Sequence, residues 1–247
     1  MNLLDLHGPL QLTTNITPQP DIPLADFLRS GIGRSDAGRD VDLDDMAKHP
    51  ISDRKFGPTI GFQSHATSEP AEIAVARDLV RRRYAWRGYR VSETQDSAFP
   101  DKHRAPHYVT IVAKSCNATV GTVTLGMDST HGLLVDEANK READRLRTRG
   151  RRLCELVRLA VEDGVNSKAV LASLFQCAYT IGRCVHGLTD VLIEVNPRHV
   201  CFYRKVFGFI CASEEKICER VGAISVLLSL DISSLEGRFF LPTKAAA

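Results

Sequence analysis

Asp190-Val-Leu-Ile-Glu-Val-Asn-Pro-Arg-His-Val-Cys-Phe-Tyr-Arg-Lys-Val-Phe-Gly-Phe209 is the stretch whose reading decides the fold. Val191 to Val195 is a short apolar, β-branched run, the pattern of a buried strand. Asn196-Pro197 stops it, because proline donates nothing to a ladder and disfavours helix in the residue before it. A brief helix then carries Phe202, Tyr203 and Val206 on neighbouring turns until Gly208, and Phe209 opens another apolar strand. Two readings stay open. The strand end can present Tyr203 to a site, or Phe202, Tyr203 and Phe209 can be the core of a β-α-β corner.

Upstream, Leu153-Cys-Glu-Leu-Val-Arg-Leu-Ala-Val161 is an apolar strand with two charges inside it. Glu155 and Arg158 are three apart, so a regular strand sends them to opposite faces, whereas a bulge changes that relation. Burying either without a partner costs several kcal/mol. The pair is thus either a structural ion-pair network or a base with an orienting cation. Asn166-Ser167 caps the next helix, in which Val170, Leu171, Leu174, Ala178, Ile181 and Val185 form an apolar stripe up to Gly187. The start of that helix, directly after the charged strand, suits a phosphate. The right-handed crossover rule then predicts that strands 153–161 and 190–195 are parallel neighbours.

The rest of the chain fits around this unit. Residues 1–66, rich in Pro, Asp, Gly, Ser and Thr, read as an irregular, partly disordered N-terminal arm, 67–235 as the folded domain and 236–247 as a C-terminal tail. Ser68 is a candidate N-cap with Pro70 in the first turn, and Ile73, Ala76, Val80 and Tyr84 recur at helical spacing before Gly88. Residues 107–114 and 118–125 form a hairpin candidate across Ser115-Cys-Asn117, 134–148 a charged helix, and 209–217 and 223–229 the closing strands.

At 247 residues, 43% hydrophobic and 25% charged, the chain has the composition of a soluble globular protein. No apolar run approaches the roughly 20 residues of a membrane helix, and Met1 to Leu12 lacks the features of a signal peptide. A cytoplasmic protein without stable membrane insertion is expected. Seven cysteines without a CxxC pair point to reduced thiols rather than a disulfide framework, and no metal site is expected. Cys177 and Cys184 would share a helix face. The net charge of +2 gives no argument for nucleic acid. Arginines crowd Arg77 to Arg90 and Arg141 to Arg152, as solvated helix faces or as a surface for an anionic partner.

With both stretches in hand, the chain resembles the GNAT-fold acyltransferases, and within them the FeeM-type N-acyl amino acid synthases, relatives of acyl-homoserine-lactone synthases. The motifs that carry the resemblance are Arg83-Tyr84 with Gly88-Tyr89, Val120-Gly-Thr122, Gly132-Leu133, Glu155-Leu-Val-Arg-Leu-Ala-Val161, Val195-Asn-Pro-Arg-His199, Phe202-Tyr203 and Gly208-Phe209. They run from about Glu72 to Asp231 and leave the arm uncovered. The resemblance implies an α/β, GNAT-like fold, a mixed central sheet flanked by helices. It implies transfer of a long-chain acyl group from an acyl carrier protein thioester to the α-amine of an amino acid. The co-substrate would be the acyl-phosphopantetheine of the carrier protein, or acyl-CoA, with no bound cofactor.

On that resemblance, Glu155 is the candidate base, Arg158 its orienting cation, and Tyr203 the proton donor to the leaving thiolate. Leu159, Ala160, Val161, Asn166, Ser167, Lys168, Asn196, Arg198 and Phe202 would bind the acyl-phosphopantetheine, and Arg83, Tyr84, Trp86 and Asp101 the amine substrate. The chain departs from its relatives in three places. Asp101 is the one plausible acid before the first hairpin, Thr124 stands where an arginine is usual, and Val157 replaces a small hydroxyl residue. The first two departures point to an acceptor other than that of the lactone synthases. Competing readings are a CoA-dependent N-acetyltransferase, against which Glu162-Asp-Gly-Val-Asn-Ser-Lys168 offers one glycine and two acids for a pyrophosphate, and a non-catalytic binding module. For docking an acidic carrier protein, Arg145, Arg147, Arg149, Arg151, Arg152, Lys168 and Arg198 are expected to join Arg81 to Arg87 in one positive patch.

Overall fold

In the computed structural model, residues 62–89 and 107–235 are described. Strands β1 (Gln63–Thr67), β2 (Tyr108–Ser115), β3 (Ala118–Met127), β4 (Leu153–Val161), β5 (Asp190–Val195), β6 (Ile210–Cys211), β7 (Lys216–Cys218) and β8 (Ala223–Asp231) form one mixed sheet. Its order is β1-β2-β3-β4-β5-β8-β6, with β7 also paired to β8. The helices are α1 (Pro70–Trp86), α2 (Asp136–Arg147), α3 (Ser167–Tyr179) and α4 (Val200–Phe207). This is the expected α/β, GNAT-like architecture. Among the described residues no helix is long and apolar enough to cross a membrane.

Several expectations shift in detail. Strand β1 begins inside the segment read as arm and pairs with β2, so the fold takes in residues 62–66 as well. Residues 1–61 of the arm and the tail 236–247 lie outside the described residues. Helix α1 is entered through Glu69 rather than Ser68, the Glu69 N–H donating to Thr67 Oγ1 at 3.1 Å. The hairpin β2–β3 turns on two residues, Cys116 and Asn117, both with left-handed φ (47° and 68°), the combination that matches strand twist. The single strand expected over 209–217 is two short ones, since Ala212 N–H donates to Leu227 O and Ser213 Oγ takes the Leu227 N–H instead of continuing the ladder.

The helix expected over 167–186 also changes. Asn166 caps α3 as foreseen, its Oδ1 accepting from Ala169 N–H at 3.3 Å. At Thr180 the coil widens to a π-helical turn, Thr180–Val185, where Thr180 Oγ1 bonds back to Gln176 O at 3.1 Å. The extra residue rotates the apolar stripe, leaving Val185 58% exposed. It also separates the two cysteines, Cys177 half-buried and Cys184 exposed. All seven cysteines are free thiols.

The sheet has two covered faces. On one, Val170, Leu174 and Ala178 of α3 pack on Ile111, Val123, Leu125 and Cys154, while Phe202, Tyr203 and Phe207 of α4 pack on Ile193 and Leu228. On the other, Leu79 and Val80 of α1 cover Ala160, and Ala143 of α2 with Val135 just before it covers Leu153, Leu192 and Leu227. Where β1, α1 and β2 meet, Glu72 accepts from Lys114 Nζ and from His65 Nε2 (3.0 Å). Burial alone would raise this carboxyl, but bonds from Lys114, Thr67 and His65 outweigh it and bring Glu72 down to about 2. A carboxylate depressed in the folded state contributes stability above its unfolded value of about 4.3 and loses it as pH falls. Acid unfolding of the wild type is therefore expected to steepen between about pH 5 and pH 2, and Glu72→Gln to remove that component. Denaturant midpoints across this range, identical in slope for both proteins, would disprove it.

Candidate active site

Strands β4 and β5 are parallel, as the crossover rule predicts, but they pair only from Leu153–Asp190 through Glu155–Leu192. Beyond those residues they part, and a cavity of about 220 Å³ opens between them. Its border is built by Leu156, Val157, Arg158 and Leu159 of β4 and by Ile193, Glu194, Val195 and Asn196 of β5. The α3–α4 side of the cavity is mostly apolar, with Leu125, Phe175, Ala178, Phe207 and Phe209 beside Tyr179, Arg183 and Tyr203. The α1–α2 side is polar, with Tyr84, Tyr89, Arg158, Glu194, Arg220 and Ser225.

The bulge that the sequence left open is present. Thr122 opposes Ala160 while Thr124 opposes Val157, so β4 holds one residue more than β3 across this interval. Arg158 takes up the surplus in a left-handed conformation, φ 56°. Leu159 then packs with the α3 cluster and Ala160 with α1, which turns Arg158 onto the face that holds Glu155. Burial brings the Arg158 guanidinium down to about 10, with Tyr84, Tyr108 and Glu155 opposing, so it remains a cation at neutral pH.

Glu155 is fully buried and is absent from the cavity wall. Its Oε1 accepts from the Tyr108 hydroxyl and from Leu134 N–H at 2.8 Å, and its Oε2 from Val135 N–H at 2.9 Å. Helix α2 has no side-chain cap of its own at Val135. Glu155 therefore serves as a tertiary N-cap, an anion held against the positive end of α2. Burial raises its carboxyl, against the donors Tyr108, Leu134 and Val135. Its geometry is that of a wall-builder, since the N–H of Leu134, a lining residue, hangs from it.

The other expected site residues divide cleanly. Arg158, Leu159, Asn196, Tyr203 and Tyr84 line the cavity. Burial pushes the Tyr84 hydroxyl up to about 12, the Arg158 charge opposing, and pushes Tyr203 higher still, so both stay protonated. Phe202 is 1% exposed, in the core beside Tyr203, and Ala160 is buried under α1. Val161 packs against the α3 cluster. Asn166, Ser167 and Lys168 stand at the start of α3, away from the cavity wall, and Arg198 is exposed, its Nε on His199 Nε2 at 3.1 Å. Arg83 reaches toward Asp163 (3.6 Å) and lies over Trp86, which is itself exposed. Asp101 lies outside the described residues.

Among the lining residues that sequence reasoning missed are Glu194, Arg220, Cys218 and Ser225. Arg220 donates to Leu134 O (2.6 Å), to Glu137 Oε2 (2.8 Å) and to Glu194 Oε2. It supplies a cation on the polar face, where Thr124 stands in place of the arginine expected from the resemblance. A charge within an apolar strand, as at Glu194, was the available signal. Arg220, in a short polar turn, gave none.

The single positive patch does not form. Arg151 and Arg152 precede β4, whereas Lys168 and Arg198 follow the far ends of β4 and β5. Nine residues of strand separate the two groups, about 30 Å at 3.3 Å per residue. Arg147 is held by Asp128, Asp136 and Asp144, and Arg151 by Asp190 and Asp231. Arg82 is held by Asp78 and Glu162.

A family model described as N-acyl amino acid synthase FeeM matches residues 75–231. Among solved structures, the chain is similar to FeeM, an N-acyl amino acid synthase from uncultured soil microbes. The identity is 25% and the TM-score 0.65, over 73% of this chain and 95% of that one. A structure described as an N-acetyltransferase from Lactobacillus plantarum shares the fold, with a TM-score of 0.51 and 14% identity over 69% of this chain and 98% of that one. No curated protein sequence matches the chain.

Proposed function

Because the chain belongs to the FeeM family of N-acyl amino acid synthases and is an N-acyltransferase, we propose that it moves a long-chain acyl group from an acyl carrier protein thioester to the α-amine of an amino acid. The observation that carries this reading is the cavity between the parted strands β4 and β5, polar on one face of the sheet and mostly apolar on the other. An acyl chain suits the wall of Leu125, Phe175, Ala178 and Phe207, and a charged acceptor suits Arg158 and Glu194. The thioester carbonyl then lies at the opening, where β4 past Glu155 has no β5 partner among the described residues. Backbone N–H groups freed there suit the developing oxyanion. Tyr203, apolar-packed and protonated, is the donor proposed for the leaving thiolate.

The donor reading rests on the segment after β4. Glu162 and Asp163 flank the start of α3, and Asn166 Oδ1 occupies the Ala169 N–H. Glu162 and Asp163 face Arg82 and Arg83, and the filled cap with the lone Gly164 leaves few backbone donors for a pyrophosphate, so a phosphopantetheine lacking the nucleotide fits better than CoA. Initial rates with a long-chain acyl carrier protein and with CoA carrying the same chain test this, with mass spectrometry of the product. Turnover of the carrier-bound chain to an N-acyl amino acid, with little from CoA, is the expected result. Equal or faster turnover from CoA overturns the donor. An acylated amine lacking a carboxylate as the preferred product overturns the acceptor.

A further inference from the structure

Resting on the amino-acid acceptor just proposed, we infer that Glu194 is the group that takes the proton from the acceptor's α-ammonium, with Asn139 and Arg220 as its positioning residues. Glu194 is the only carboxylate among the described residues that line the cavity. It stands two residues past Leu192, the last β5 residue paired with β4, so it borders the opening. Strand alternation puts it on the face of Leu192, which packs with Leu133, Val135 and Leu153. Arg158 borders the same opening from β4, on the same face. A zwitterion between them has its carboxylate on the cation and its ammonium on the anion, with the nitrogen directed at the gap where the thioester enters.

The remaining lone pairs favour Glu194 over Glu155. Two carboxylate oxygens offer about four acceptor sites. Glu155 spends three on Tyr108, Leu134 and Val135 behind the wall. Glu194 spends one on Asn139 Nδ2 (2.9 Å) and one on Arg220. The groups around it are Asn139 and Glu137 from α2, Cys218 from β7, Arg220 from the β7–β8 connection, and Ser225 from β8. Arg158 and Glu155 of β4 and Tyr84 of α1 complete the polar face. Burial raises the Glu194 carboxyl and Arg220 and Asn139 lower it, with the net shift upward, the direction a base working near neutral pH needs.

The step balances as follows. Glu194 accepts one proton from the ammonium, and the freed nitrogen lone pair forms the C–N bond at the thioester carbonyl carbon. The C–S bond then breaks and its electron pair leaves on sulfur. The nitrogen loses a second proton in reaching the amide, the thiolate gains one, and one proton is released to solvent.

The test is the pH dependence of kcat at saturating acceptor and donor, for the full chain and two variants. Glu194→Gln should lower kcat by about 10²-fold and abolish the acidic limb of the profile. Asn139→Ala removes a donor to the carboxylate and should shift that limb upward by about one pH unit, with most activity kept at high pH. A wild-type acidic limb in Glu194→Gln overturns the proposal. Should that variant not fold, an unmoved limb in Asn139→Ala overturns it. Wild-type enzyme that acylates only amines lacking a carboxylate fails the acceptor reading instead, a result visible before any variant is made.

Discussion

Glu155→Gln is expected to lower the stability of the folded protein by about 3 kcal/mol or more, a large part of the roughly 5–15 kcal/mol that holds a domain together. The carboxylate accepts from the Tyr108 hydroxyl and from two backbone N–H groups of the 134–135 segment, all in a site with no exposure. Glutamine keeps one acceptor oxygen. Whichever way its amide turns, an N–H faces an N–H or a hydroxyl donor, and a buried donor left unsatisfied costs about 1–3 kcal/mol. Loss of the anion at the start of α2 adds about 1 kcal/mol. The site is also tight, since a Cβ at Gly126 would come within 3.0 Å of the Tyr108 ring and the Glu155 side chain. Urea and thermal unfolding measure the effect, with near-ultraviolet circular dichroism reporting the Tyr108 environment. A glutamine variant of wild-type stability whose activity alone has vanished would return Glu155 to the chemistry as a base.

Arg158→Gly should separate stability from activity in the opposite sense. The left-handed backbone at Arg158 (φ 56°) costs a side-chain-bearing residue about 1–2 kcal/mol, and glycine adopts it freely. The variant also removes a cation from a site with 6% exposure. Its unfolding midpoint is therefore expected to fall less than that of Arg158→Ala, which keeps the left-handed strain, and the bulge to persist. Removing the guanidinium from the cavity wall deprives the acceptor carboxylate of its proposed partner. Truncating one member of a buried charge pair costs about 2–5 kcal/mol, so kcat/KM for the amino acid should fall by about 10³-fold. The loss should disappear when the acceptor is the matching amine without its carboxylate. An equal loss for both acceptors would show that Arg158 shapes the cavity without binding the carboxylate.

Much of the fold was determined by the sequence alone, because local pattern carries it. Period-two apolar runs mark β2, β3 and β8, and the stripe of Val170, Leu174 and Ala178 marks α3. Asn196-Pro197 and Gly208 punctuate the chain at the places where the backbone needs them, Gly208 with φ 85°. The crossover rule supplied the parallel pairing of β4 with β5, and the motifs from Arg83 to Phe209 supplied the family. The cavity is another matter. Where β4 and β5 part, which residue of β4 forms the bulge, and where α3 widens at Thr180 depend on registers between distant strands and on side-chain bonds to turns. Those decide that Arg158 shares a face with Glu155, that Glu155 is consumed by α2, and that Arg220 reaches Glu194 and Leu134 from a turn near the end of the domain. Periodicity tells which face of an element is buried. It does not tell which other polar group will be buried opposite, because desolvated charges must find partners in three dimensions, and that choice belongs to the packed chain.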